Sequence, residues 1–151
     1  KGIAGNVYTR QLQFYDNVVA IFGPVSDWDQ QLDVNSPGGL GEREVQLNCD
    51  TLAVMQTPAN GLSPSAMNFN AIGNTLVEGN AFNARAHRLS YSADKDLLVL
   101  EGTGRSKAEL WHRQDNRGAY MKSQARKIQY HPRTGEIDAH MDFIGVETPG
   151  R

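Results

Sequence analysis

A single cysteine, Cys49, in 151 residues leaves no disulfide framework and no cysteine-based metal cluster within the chain. The sequence has no run of roughly 18 apolar residues, so it offers no helical membrane span. The formal net charge of −2 withholds the basic field of a nucleic-acid binder, and no nucleic-acid partner is expected. Helical periodicity is nearly absent. There is no phosphate loop ending in Gly-Lys-Ser/Thr and no His-Glu-x-x-His. Gly102-Thr103-Gly104 lacks the third glycine and the following helix of a dinucleotide site. His87, His112, His131 and His140 fall on or beside different strands and read as exposed strand positions. Asp27/Asp29 and Asp94/Asp96 fall in turns, where Asp bonds nearby backbone amides. Cys49 reads as small and buried, and Trp28 and Trp111 as packing or edge aromatics. No metal, cofactor or catalytic group is expected.

What is present is a series of strands in one domain, residues 1–151, long enough to bury a core unaided. The start at Lys1, without an initiator Met, reads as a mature form or a piece of a longer protein. Val77 to Tyr91 reads as one long strand. Phe82, Ala84 and Ala86 share a face, Leu89 and Tyr91 have the opposite parity, and the switch near His87–Arg88 predicts a β-bulge. The polar turn Ser92–Asp96 leads to Leu97–Leu100, and a further strand runs through Leu110 and Trp111.

The pattern then repeats. Ala86-x-x-Leu89-x-Tyr91 returns 39 residues later as Ala125-x-x-Ile128-x-Tyr130. The turn His131–Gly135 matches Ser92–Asp96, and Ile137-x-Ala139-x-Met141 matches Leu98-x-Leu100-x-Gly102. Fainter copies are Cys49-x-x-Leu52-x-Val54 and Val19-x-Ile21-x-Gly23. A period of two strands and a turn means units that bury one face only by pairing with neighbours. The regular repeats span residues 71–147, and residues 1–70 form an irregular first half. Its loops are expected at 26–44 and 56–72, with a helical turn at Ser65–Phe69.

Charge is uneven. Residues 1–60 hold Lys1, Arg10 and Arg43 against seven carboxylates, whereas residues 105–133 hold eight Lys or Arg against Glu109 and Asp115. Solvated strand faces explain this, as does a rim for anionic groups or for a partner's complementary end. Small Ala84, Ala86 and Ala125 on an inner face would leave room where leucines would fill it. The apolar positions of the repeat either fill a core or line a groove for acyl chains, at about 0.8 kcal/mol per buried methylene.

The segments Val77–Ala81, Ala86–Tyr91 and Leu97–Gly102, and again Ala125–Tyr130 with its following strand, resemble the OstA-like repeat. The likeness covers residues 71–147 well and 5–55 loosely. That family comprises periplasmic lipopolysaccharide-transport proteins and the N-terminal domain of an outer-membrane assembly protein. The resemblance implies an all-β antiparallel jelly roll, an open V-shaped stack of strand pairs. It implies a non-enzymatic periplasmic or cell-envelope domain that binds lipopolysaccharide or another acylated lipid. It further implies that such domains join other jelly rolls or their own copies through end strands. The interior positions it assigns are Leu89, Tyr91, Leu98, Leu100, Ile128, Tyr130, Ile137 and Met141. Met141 stands where the repeat ends its strand in Gly. The charge distribution nominates Arg105, Lys107, Arg126 and Lys127 as contacts for anionic headgroups. The alternative is a strand-pairing scaffold without a lipid. A third possibility is a hydrolase using loop carboxylates, which needs two carboxyl groups facing each other in a cleft.

Overall fold

The computed structural model describes residues 2–23, 29, 39–41, 44–59, 65–113 and 119–138. Ten strands follow one another: β1 (Gly2–Asn6), β2 (Gln11–Phe22), β3 (Val45–Thr57), β4 (Ala66–Gly79), β5 (Phe82–Ser92), β6 (Leu97–Glu101), β7 (Ala108–Arg113), β8 (Tyr120–Ala125), β9 (Lys127–His131) and β10 (Glu136–Asp138). No helix occurs among the described residues. All pairings are antiparallel and form one open sheet, ordered β1-β2-β3-β4-β5-β6-β9-β10, with β7 joining β5 to β8.

Apolar residues line up in rungs across this sheet. Phe14, Leu52, Ala71, Leu89, Leu100 and Ile128 are successive cross-strand partners from β2 to β9. The next rung runs Leu12, Val54, Phe69, Tyr91, Leu98, Tyr130 and Ile137. The repeat positions Leu52, Leu89 and Ile128 therefore share one rung, and Val54, Tyr91 and Tyr130 the next. The repeat is the imprint of one inner face crossed every second strand.

A crease crosses the strands. The register slips between Tyr15 and Val18, between Asn48 and Thr51, and between Ile72 and Thr75. On β2 the extra pair is Asp16-Asn17 and on β4 it is Gly73-Asn74, all four in the left-handed region with φ of 66°, 54°, 80° and 45°. On the last strands the crease widens: residues 102–107 separate β6 from β7, opposite the single Arg126 between β8 and β9. Gly102 N–H donates to Arg126 O at 2.8 Å, and a Cβ on Gly102 would sit 2.0 Å from Ser106 O. The parity change on β5 lies at this crease, because one extra residue re-aims every later side chain.

The crease folds the sheet onto itself. Phe22 is in register with Val45 and Gly79, and Phe69 lies ten residues earlier on β4, about 33 Å away along an extended strand. Their ring centroids are nevertheless 4.1 Å apart. Phe82 likewise meets Tyr130 edge-on at 5.2 Å from across the fold. Two half-sheets thus face each other. One holds β7, β8 and the β2–β5 segments on their side of the crease; the other holds β1, β6, β9, β10 and the remaining segments. Ala71, Ala84, Ala86, Ala108 and Ala125 are all buried on the rungs at or next to the crease. Small side chains at these five positions let the two backbones converge between the larger residues of the same rungs.

Several expectations change. Val77–Tyr91 is two strands joined at Asn80-Ala81, where Gly79 N–H bonds Asn83 Oδ1 at 3.1 Å. Ser65–Phe69 holds the start of β4 rather than a helical turn, and residues 1–57 contain three strands. The match of Val19 and Ile21 to Leu98 and Leu100 fails, since in that part of β2 it is Val18, Ala20 and Phe22 that pack against the core. Residues 1, 24–28, 30–38, 42–43, 60–64, 114–118 and 139–151, with Trp28, His140 and Met141, lie outside the described residues.

Candidate functional site: an apolar cleft between the half-sheets

Away from the crease the half-sheets diverge and enclose a cleft of about 620 Å³. Phe22, Val45, Leu47, Val77 and Phe82 come from one half-sheet, and Phe69, Leu89, Tyr91 and Leu98 from the other. Each is an inward position by strand alternation, so the lining follows from the rungs already described. The Phe22–Phe69 pair, 4.1 Å apart, bridges the interior, and Phe69 stacks on its cross-strand neighbour Tyr91 at 5.9 Å.

Polar residues collect where the turns meet at the mouth. Asp96, at the end of the β5–β6 turn, accepts from Tyr91 Oη at 3.4 Å through Oδ1. Through Oδ2 it accepts from the Arg133 backbone N–H at 3.0 Å and faces Arg133 Nε at 3.5 Å. One carboxylate thereby ties the β5–β6 turn to the β9–β10 turn. Burial first, then the Asp96 charge and hydrogen bond, raise the Tyr91 hydroxyl above its usual pKa of 10.0, while Arg133 opposes the rise. Burial first, then Asp96, also raises Tyr130. Glu44 lines the same mouth and accepts from Gly41 N–H at 2.8 Å, and Asn80 donates to Leu40 O and Gly41 O at 2.7 and 3.0 Å. The two cleft carboxylates are thus both engaged in holding loops. Among the described residues no group of three His, Cys, Asp or Glu side chains is placed to hold a metal ion.

The eight interior positions assigned from the repeat divide. Leu89, Tyr91 and Leu98 line the cleft. Leu100, Ile128 and Tyr130 are buried in the closed core, Ile137 packs against it, and Met141 is outside the described residues. Position across the sheet separates lining from filling: Leu89 and Leu100 share a rung, as do Leu98 and Tyr130, yet in each pair only the residue nearer β4 lines the cleft. None of Ala84, Ala86 and Ala125 lines the cleft, so the alanines close the fold and the larger residues surround the space. The four cations nominated for headgroups are elsewhere too. Arg105 and Lys107 lie on the 102–107 loop and Arg126 opposite it, all exposed at the crease. Lys127, on the rung beside them, pairs with Glu101 at 3.5 Å. Among the described residues Arg133 is the cation at the mouth. Its position in a Pro-Arg-Thr-Gly turn marks it as a turn residue, and only the Asp96 contact, 37 residues away in sequence, places it there.

Two buried titratable groups fall outside the site. His112 is 3% exposed rather than on a solvated face. Its Nδ1 has no hydrogen-bond partner, and burial lowers its pKa below 6.5. Burial, helped by the Asp50 charge, pushes the Cys49 thiol up to about 11. No family model and no curated protein matches this chain.

Proposed function

We propose that this chain is a non-enzymatic, acyl-chain-binding domain of the cell envelope. On this reading it is a divergent relative of the OstA-like jelly rolls and carries lipopolysaccharide or another acylated lipid in the periplasm. The supporting observation is the cleft: an open space between opposed half-sheets, lined by aromatic and aliphatic side chains that alternation commits to the interior. Hydrocarbon entering it leaves water at about 0.8 kcal/mol per methylene, so affinity needs no polar chemistry at the walls. The jelly-roll assignment rests on the creased antiparallel sheet and the two-strand repeat.

The test is saturable uptake of a fluorescent acyl probe by delipidated protein, with displacement by lipopolysaccharide. Ala81 lies in the β4–β5 turn at the cleft, and Ala81→Trp fills space without burying a charge. The variant should fold and lose uptake. Equal uptake by both proteins, or none by wild type, would count against the proposal.

The β1–β2 end favours a second reading, pairing between copies. Ile3, Val7 and Tyr8 are 74%, 89% and 98% exposed, beside β1, an edge strand among the described residues. An exposed strand edge bordered by apolar side chains is a template for strand addition. Concentration-dependent oligomers without lipid uptake would select this reading over the first.

A further inference from the structure

The closed side of the fold carries charge that the cleft does not use. On the outer face, Arg88, Glu101 and Lys127 are cross-strand neighbours on the last rung before the crease. The 102–107 loop follows with Arg105 and Lys107, and Gly102 N–H ties it to the Arg126 backbone at 2.8 Å. All five cations are exposed. Among the described residues of this stretch Glu101 is the one carboxylate, and Lys127 engages it at 3.5 Å. Arg88, Arg105, Lys107 and Arg126 make no ion pair with another described residue.

The outer face of β7 and β8 extends this ridge. Ala108, Leu110 and His112 are buried, so Glu109, Trp111 and Arg113 point outward beside their partners Gln124, Lys122 and Tyr120. Lys122 lies over the Trp111 ring at 5.0 Å and Arg113 over the Tyr120 ring at 4.2 Å. Glu109 is engaged by Lys122 at 2.9 Å and by Gln124. Long exposed cations thus form the centre of the surface and two aromatic rings its border. The centre of a protein–protein interface is closely packed and depleted of charge, above all of Lys. A fluid anionic leaflet needs no fitted contour. It gains roughly fivefold in affinity from each basic side chain, and it takes Trp and Tyr at headgroup level.

We propose that this basic ridge docks the domain on an anionic lipid surface, crease toward the headgroups and cleft mouth away from them. The docking surface is separate from the cleft and does not depend on what the cleft binds.

The experiment sediments the full chain with vesicles of phosphatidylcholine alone or of equal parts phosphatidylcholine and phosphatidylglycerol. The mixed vesicles should bind at least tenfold tighter in about 0.1 M NaCl and lose that advantage in about 1 M, where the Debye length falls from about 10 Å to about 3 Å. Arg105→Gln/Lys107→Gln should weaken binding about 25-fold, roughly fivefold per cation. Arg10→Gln/Lys95→Gln removes the same charge at the β1–β2 and β5–β6 turns and should bind as wild type, as should the charge-conserving Arg105→Lys/Lys107→Arg. Equal binding to both vesicle types, or equal losses in the two glutamine double variants, would overturn the inference. So would capture of the chain by polyglutamate but not by mixed vesicles, which would reassign the ridge to an acidic protein. Ala81→Trp should bind vesicles as wild type, so loss of acyl uptake with vesicle binding intact upholds the ridge and bears on the cleft alone.

Discussion

Replacing Gly73 with alanine should destabilise the fold by about 2 kcal/mol, through two separable effects. Gly73 has φ of +80°, and forcing an L-residue into the left-handed region costs about 1–2 kcal/mol. A Cβ there would also lie 2.2 Å from Asp50 Oδ2 and 2.9 Å from Asp50 Cβ, so the carboxylate must move. Moving it breaks the 2.9 Å bond from Asn74 Nδ2, worth about 1 kcal/mol. The stiffer unfolded chain of the alanine variant returns about 0.5 kcal/mol. Urea denaturation of wild type, Gly73→Ala, Asp50→Ala and the double variant separates the parts. In the Asp50→Ala background the Gly73 substitution should cost about 1 kcal/mol less, because only the backbone strain remains. A cost below 0.5 kcal/mol in wild type would show that the crease does not depend on a left-handed residue at 73, taking about 0.5 kcal/mol as the scatter of silent surface changes. Equal costs in both backgrounds would refute the Asp50 contact.

Leu100→Ala should cost about 3 kcal/mol, because Leu100 is fully enclosed and its loss leaves a cavity. Leu98→Ala should cost about half as much, since it enlarges an existing cleft; thermal or urea unfolding ranks the two. His112 is held neutral in the fold while the unfolded chain takes up a proton near pH 6.5, so stability should fall as pH drops below that value. In His112→Phe that slope should flatten, with stability at neutral pH equal or higher because the orphaned Nδ1 is gone. Removing the Asp96 carboxylate (Asp96→Ala) should bring the Tyr91 hydroxyl titration back toward 10, read from the ultraviolet absorbance of tyrosinate. The buried Cys49 thiol should resist a disulfide reagent at pH 8 in the folded protein and react at once in denaturant.

The strand alternation and the parity switch on β5 were legible because they are local: an inward residue must recur every second position, and a bulge must break that rhythm. The repeat was legible for the same reason, since Leu52, Leu89 and Ile128 occupy one rung. The hairpin at Asn80-Ala81 was hidden by apolar residues on both sides, although Gly79-Asn80 is itself a turn signal. Which interior residues pack and which line the cleft was not legible. It depends on where a position sits across and along the folded sheet: Leu98 and Leu100 are two residues apart and differ in role, as do the rung partners Leu89 and Leu100. The four nominated cations lie at the crease: net charge along a segment carries no information about which end of a strand meets the mouth. Arg133 reaches the mouth through a single long-range tie to Asp96.

The most direct test is photo-crosslinking with a palmitate analogue bearing a diazirine near its chain end, with adducts mapped by mass spectrometry. Saturable adducts are expected on Phe69, Val77, Leu89 and Leu98, suppressed by unlabelled palmitate and by Ala81→Trp. Adducts confined to outward positions such as Val99 and Gln129, or labelling that does not saturate, would contradict acyl binding in the cleft.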